Sequence, residues 1–288
     1  MRYISIKLLL VKEEIDNPFF CKQLNNCVSV IIPTLNSADT LARCLDSIIL
    51  QSYANIEIIV IDGHSSDNTR EIASKFNATI FLMTGQRTSA KNYGISKSSG
   101  DFLLFVDSDM ILQPAVISEC VSLCSSDRSI IGIVIPERTI GDNFWAKVRD
   151  FERTLYLGSK IESARFFRKS FVVQVGGFDE EIIFYEESTL PQKLEMRGMK
   201  VNMRTSSVIL HNEEQFNLTK WLRKKHYYSS NAALYVSKYP LYARIQTTVS
   251  HRLRIILRRC NWRKLIKHPT LSVGLLLLKT LEFFASRI

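Results

Sequence analysis

Between residues 28 and 106 the chain alternates two hydrophobic periodicities, and that alternation leaves few folds open to it. Val28-Ser29-Val30-Ile31-Ile32 is a β-branched apolar run that Pro33 should stop. Leu41, Cys44, Leu45 and Ile48 then recur at helical spacing, after Asn36 or Ser37 as the cap. Ile56 to Ile61 reads as a second buried strand, Thr69 to Phe76 as a helix and Thr79 to Met83 as a strand. Ser89 to Ser98 reads as a helix and Phe102 to Val106 as the next strand. Near-continuous apolar strands separated by helices imply an α/β fold, with a mostly parallel central sheet flanked by helices. Ligands of such sheets sit beyond the carboxyl ends of the strands.

Three of these strands end in polar residues: Pro33-Thr34-Leu35-Asn36, Asp62-Gly63-His64-Ser65-Ser66-Asp67 and Asp107-Ser108-Asp109. Such residues also make turns and helix caps, which is an equal reading for Ser65, Ser66, Asp67 and Asn68. Asp62 is different, because it follows directly on the apolar IEIIVI. Asp107 and Asp109 lie two apart in extended chain, so their carboxylates point to one side. Two buried carboxylates repel and call for a positive partner, a Lys, an Arg or a metal ion. Hard oxygen ligands so placed suit Mg²⁺ or Mn²⁺.

Charge divides the chain more sharply than composition does. From Phe216 to Ile288 there are 15 Lys and Arg against the single acid Glu282, a balance of +14, whereas residues 1–215 hold 23 against 27. This shift marks a boundary near residue 215, with an α/β domain over 1–215 and a basic, amphipathic helical extension over 216–288. The first domain divides near residue 112, into a half of about 28–112 and a half of about 113–215. The apolar run in MRYISIKLLLVKEE is short for a secretory signal, and six cysteines without a CxxC pair give no disulfide framework. Cys120 and Cys124 fit helix packing, and a reducing cytoplasm is the expected setting. The triplets at Asn77 and Asn217 are read as chance matches to a glycosylation pattern.

The stretches VSVIIPTLN (28–36), IEIIVIDGHSSDNT (56–69), RTSAKNYGI (87–95), FLLFVDSDMIL (102–112) and VGGFDEEIIFYEESTLPQKLEMRG (175–198) together resemble a family 2 glycosyltransferase of the GT-A fold. The resemblance implies inverting transfer of a sugar from a nucleotide-diphospho-sugar donor to an acceptor hydroxyl, aided by Mg²⁺ or Mn²⁺. It assigns Pro33, Thr34 and Asn36 to the first nucleotide-binding loop and Asp62 to contact with the base. Gly63 stands where the family often carries a second aspartate, and Lys91 where it commonly carries arginine. Asp107 and Asp109 match the DxD motif, with Asp109 the direct metal ligand.

An inverting transfer needs a base to take the acceptor's proton. Glu187 occupies the position of the family's base, Glu186 precedes it, and Asp179 in the GGFDE element is a candidate to orient the acceptor. Acids here also suit the N-terminus of the helix that follows. His211 follows the strand-like Ser207 to Leu210; in related enzymes such a histidine completes the metal shell, and packing is the alternative. Trp145, Arg149 and Arg165 are acceptor-side candidates for which helix packing is the default. The QxxRW element of processive enzymes is absent, which points to a non-processive transferase acting on a glycan or lipid-linked acceptor.

The tail combines basic stretches with an apolar run, Leu271 to Leu278, that is far shorter than the roughly 20 residues a spanning helix needs. Either it lies on an anionic cytoplasmic leaflet as a peripheral element, or its helices pack on the catalytic domain. Three rivals stand beside the transferase. A sugar-nucleotide pyrophosphorylase would want a Gly-rich loop that PTLNSADT lacks, a degenerate nucleotide-sugar binder would explain Gly63, Lys91 and Glu187, and nucleic acid has no recognisable motif here.

Overall fold

The computed structural model describes residues 26–286, so the N-terminal apolar run and Cys21 lie outside it. The first half is built as the periodicity requires. Strands β1 (Val28–Thr34), β2 (Ile56–Asp62), β3 (Thr79–Leu82) and β4 (Phe102–Phe105) alternate with helices α1 (Ala38–Ile49), α2 (Thr69–Lys75) and α3 (Arg87–Lys97). There follow β5 (Met110–Leu112), α4 (Val116–Ser126), β6 (Gly132–Val134), β7 (Glu137–Ile140), α5 (Phe144–Tyr156), β8 (Ala164–Arg168), α6 (Lys169–Gln174), α7 (Glu186–Glu195), β9 (Met203–Arg204) and β10 (Ile209–Asn212).

Seven strands form one sheet in the order β3-β2-β1-β4-β8-β6-β9. It is parallel throughout except at β8, which runs antiparallel to both β4 and β6. Successive residues of β1 face opposite sides. Val28, Val30 and Ile32 pack against Leu41, Leu45 and Ile48 of α1, while Ile31 joins Ile95, Phe105 and Leu190 on the other side. Cys120 and Cys124 are buried in the first of these layers as free thiols, so the packing reading holds.

Pro33 does not end β1. The Ile31 carbonyl accepts from Val106 N on the β4 side, and the Thr34 carbonyl accepts from Gly63 N on the β2 side. Pro33 therefore turns its missing N–H toward β4, which is already ending, while β1 stays paired with β2 through Thr34 and Asp62. A second correction concerns cysteine. Cys27 is disulfide-bonded, whereas Cys44, Cys120, Cys124 and Cys260 are free. Pairing depends on spatial approach, which spacing along the chain does not reveal.

The basic C-terminal part is helical: α8 (Leu218–Ser230), α9 (Ala232–Lys238), α10 (Pro240–Thr247), α11 (Val249–Ile256), α12 (Trp262–Lys267) and α13 (Pro269–Ala285). Ile255 and Ile256 of α11 and Leu275 and Leu278 of α13 bury against Val148, Phe151 and Leu155 of α5. The close approach needs Gly274, where a Cβ would stand 2.6 Å from the Phe144 ring. Tyr235, Tyr239 and Ala243 cover Ile182. These helices pack on the α/β body, and among the described residues no helix is long and apolar enough to cross a membrane.

Candidate active site

The parallel register of β1 and β2 sets Thr34 opposite Asp62. Thr34 Oγ1 donates to Asp62 Oδ2 at 3.0 Å, and Ser65 donates to the same carboxylate through its N–H at 2.9 Å and its hydroxyl at 2.6 Å. Asp62 is fully buried, so its carboxylate organises the two strand tips from within. Asn36, at φ +49°, donates its N–H to Ser65 Oγ and accepts from Ser66 N, both over 2.8–2.9 Å. Asp67 accepts from Ala38 N at the start of α1 and from Thr69, which fits the turn-and-cap reading, one of the two open to it. Pro33, Thr34, Asn36 and Asp62 thus lie together at one sheet edge, but none lines the cavity described next.

That cavity, of about 370 Å³, opens beside the tip of β4. Asp107, Asp109, Glu186, Glu187 and His211 all line it. Asp107 meets Arg165 Nη1 of β8 at 3.7 Å through Oδ2, and its Oδ1 is buried without a hydrogen-bond partner. Burial alone would raise the Asp107 pKa, but Arg87, Lys91, Arg165 and His211 outweigh it and hold the carboxyl well below the usual range. Asp109 is the open one, its side chain 46% exposed. Its carbonyl accepts from Asn212 N at 2.8 Å, which ties the motif to β10.

His211 lies within β10 rather than after it, paired with Met110 of β5 and Thr139 of β7. Its Nδ1 is 3.9 Å from Asp109 Oδ1 and its Nε2 is 3.1 Å from Glu137 Oε2. Among the described residues no three His, Cys, Asp or Glu side chains form a ready-made metal cage. The donors nevertheless fit Mg²⁺ or Mn²⁺. Asp107 offers an unpartnered buried oxygen and Asp109 an exposed carboxylate, and such ions take one or two carboxylates and fill their shell with water and substrate phosphates.

Opposite stand the acids at the start of α7, after Tyr185 in the left-handed region at φ +58°. Glu187 Oε2 is 3.3 Å from Arg165 Nη2, and Glu187 Oε1 is 4.0 Å from Lys91 Nζ. Glu186 meets Lys91 at 3.9 Å and Arg87 at 3.7 Å. Burial raises the Glu186 pKa, the charge of Glu187 raises it further, and Lys91 and Arg87 oppose both. Lys91 is itself buried beneath the acids and does not line the cavity, whereas Arg87, one turn earlier on α3, does. Pro191 inside α7 has no N–H for the carbonyl of Glu187 four residues back, and Ser163 Oγ supplies that hydrogen bond at 2.9 Å.

Asp179 stands apart. Its carboxylate takes Lys193 at 2.9 Å, Lys238 at 3.1 Å and the Tyr239 hydroxyl, so it ties α7 to α9 and does not line the cavity. Trp145 packs in the α5 cluster, as the default reading has it. Arg149 and Arg165 do reach the cavity, and Arg165 comes from a strand rather than a helix. Glu137 and Arg87 escape sequence reasoning, though each leaves a trace. Glu137 closely follows an apolar strand as Asp62 does, and Arg87 shares a helix face with Lys91 four residues on.

Comparisons with known proteins agree with this geometry. A PGL/p-HBAD biosynthesis glycosyltransferase of Mycobacterium bovis is 32% identical over 163 residues, 52% of this chain and 62% of the relative. The glycosyltransferase GlyG of Streptococcus pneumoniae is 37% identical over 101 residues, 33% of this chain and 34% of the relative. The chain thus spans between a third and just under two thirds of the length of these curated relatives. The mannosyltransferase PcManGT of Pyrobaculum calidifontis, solved with GDP-Man and Mn²⁺, shares the fold with a TM-score of 0.59 over 98% of this chain and 91% of its own, at 16% identity. S. aureus TarS 1-349 does so with a TM-score of 0.54 over 87% and 79%, at 19% identity. The family described as glycosyl transferase family 2 matches residues 29–178, from the first strand through the GGF turn, and with the GT-A architecture around Asp107 and Asp109 this chain is a member of that family.

Proposed function

We propose that the protein is an inverting, metal-dependent, non-processive glycosyltransferase that moves a sugar from a nucleotide-diphospho-sugar to a hydroxyl of a glycan or lipid-linked acceptor. The observation that carries this reading is the placement of two carboxylate pairs, Asp107 with Asp109 and Glu186 with Glu187, on one cavity. Mn²⁺ and a sugar nucleotide bound to PcManGT, and UDP-GlcNAc bound to TarS, support the donor class.

Asp109 and Asp107 would hold Mg²⁺ or Mn²⁺ with His211 beside them, and the ion would supply positive charge toward the diphosphate leaving group. Pro33, Thr34, Asn36 and Asp62 would shape the nucleotide edge, where Asp62 acts by fixing the loop that faces the base. Glu187 is the base. Its carboxylate is the more open of the two, 32% exposed against 12% for Glu186, and it can take the acceptor hydroxyl's proton as that oxygen attacks. Glu186 binds Arg87 and Lys91 and keeps both cations beside the site. Asp179 acts as a positioning residue through α7.

Exposed apolar residues of the tail support a membrane-presented acceptor. Trp262, Ile266, Val273 and Leu276 are each more than half exposed, and Arg263 and Lys267 stand between them in sequence. The catalytic body would then work as a peripheral protein at an anionic cytoplasmic leaflet. The test is thermal unfolding of the full chain with a panel of nucleoside diphosphates, in Mn²⁺ and in EDTA, for wild type and Asp109→Ala. Stabilisation by one nucleotide that needs Mn²⁺ and disappears in Asp109→Ala is the expected result. No response to any nucleotide overturns the reading.

A further inference from the structure

The cavity is not electrically uniform. Most of its cations are neutralised by carboxylates. Arg149 pairs with Glu152 at 2.8 Å and Glu213 at 3.6 Å, Arg153 with Glu137 and Glu213, and Lys279 with Glu152 and Glu282. Three cations contributed by the C-terminal helices differ. Lys225 on α8 rests over the Trp221 ring at 4.5 Å, and Lys224 lies 5.7 Å from the Tyr228 ring. Arg252 on α11 donates from Nε to the Gln246 carbonyl at 2.6 Å and from Nη2 to the Tyr185 hydroxyl. All three line the cavity, and among the described residues none has a carboxylate within ion-pair distance.

The acid nearest in effect to Lys225 is Glu282, and it is already committed to Lys279 at 2.7 Å and to Trp221 Nε1 at 2.7 Å. The Lys225 ammonium is accordingly pushed down to about 8, by burial first; Glu282 opposes this, and the charges of Lys279, Arg149 and Arg252 lower it further. This end of the cavity therefore carries cations with no carboxylate at ion-pair distance among the described residues, Glu152 and Glu282 acting on Arg252 only from further away.

We propose that Lys224, Lys225 and Arg252 form a phosphate-binding subsite that holds a phosphate group of the acceptor. The proposal rests on the transferase reading and names the class of its second substrate. A phosphate offers three oxygens and up to two negative charges. It accepts charge-assisted bonds from Lys as a point charge and from Arg as a fork, which matches the donors here. The aromatic walls, Trp221, Tyr228 and Tyr185, give an adjoining sugar or lipid chain a surface to lie on. Lys225 and Arg252 contact Trp221, Gln246 and Tyr185, and among the described residues neither forms an ion pair with Asp107 or Asp109.

The experiment is calorimetric titration of the full chain in EDTA with inorganic phosphate and with octyl phosphate, at constant ionic strength. Both bind wild type and Asp109→Ala alike, and Lys225→Gln and Arg252→Gln each weaken them at least tenfold. Arg252 also holds Gln246 and Tyr185, so Lys225→Gln, whose ammonium only stacks on Trp221, is the variant that decides if Arg252→Gln unfolds. Tighter binding of octyl phosphate assigns the group to a lipid, and equal binding assigns it to a soluble sugar phosphate. Unchanged affinity in Lys225→Gln, or loss confined to Asp109→Ala, overturns the subsite. A Lys225→Gln protein that still responds to a nucleoside diphosphate with Mn²⁺ separates that failure from failure of the transferase reading.

Discussion

Arg165 Nη2 lies 3.3 Å from Glu187 Oε2. The same guanidinium reaches Asp107 at 3.7 Å and Glu137 at 2.7 Å, so one buried cation joins the DxD motif to the proposed base. Removing it leaves like charges facing each other in a closed space. Arg165→Met is expected to destabilise the protein by about 3–5 kcal/mol, the usual result of breaking a buried pair. Arg165→Lys keeps the charge but not the fork, and should retain most stability while losing at least about tenfold in transfer rate. Denaturant unfolding beside initial rates separates the two effects.

Glu187 and Glu186 make distinct predictions. Glu187→Gln keeps the shape and removes the proton acceptor, so kcat should fall about 10²–10⁴-fold with nucleotide binding unchanged. Glu186→Gln should cost less in kcat, because its place is beside Arg87 and Lys91. If Glu186→Gln proves the more damaging in kcat, the two assignments exchange.

Ser163 supports the base through the backbone. Its hydroxyl donates to the Glu187 carbonyl that Pro191 cannot serve. Ser163→Ala should destabilise by about 1 kcal/mol, the cost of an unmade hydrogen bond, and lower kcat several-fold. In a Pro191→Ala background the helix N–H returns, and the stability cost of Ser163→Ala should shrink. An unchanged cost would show that the Ser163 bond does not compensate for Pro191.

Stability in acid should depend on Glu152. Burial would raise its pKa, but Lys279 and Arg149 outweigh that and hold the carboxyl well below the usual range. A carboxylate with a lowered folded-state pKa stabilises above its unfolded pKa, and that contribution is lost as pH falls toward the folded value. Glu152→Gln should therefore cost about 3 kcal/mol at pH 7, and progressively less as pH drops below about 5. Urea midpoints of both proteins from pH 7 to pH 3 test this; a gap that stays constant would exclude the ion pairs as its source.

The sequence by itself determined the layered α/β body. Period-two and helical patterns in residues 28–112 are local, and a strand buried on both faces cannot be written without a continuous apolar run. Asp107 and Asp109 were legible for the same reason, since carboxylates set against an apolar run stand out in one dimension, whereas Glu186 and Glu187 were legible only through the family resemblance. Pro33 was legible as a breaker but not as a residue whose missing N–H faces an ending neighbour. Tertiary structure alone decided which charges meet. Arg165, Glu137 and His211 come from three strands, and Lys225 and Arg252 from helices more than a hundred residues beyond Asp107 and Asp109. Charge pairing depends on separations of a few ångströms between groups remote in sequence, and packing against α5, not local pattern, brings the C-terminal helices to that distance.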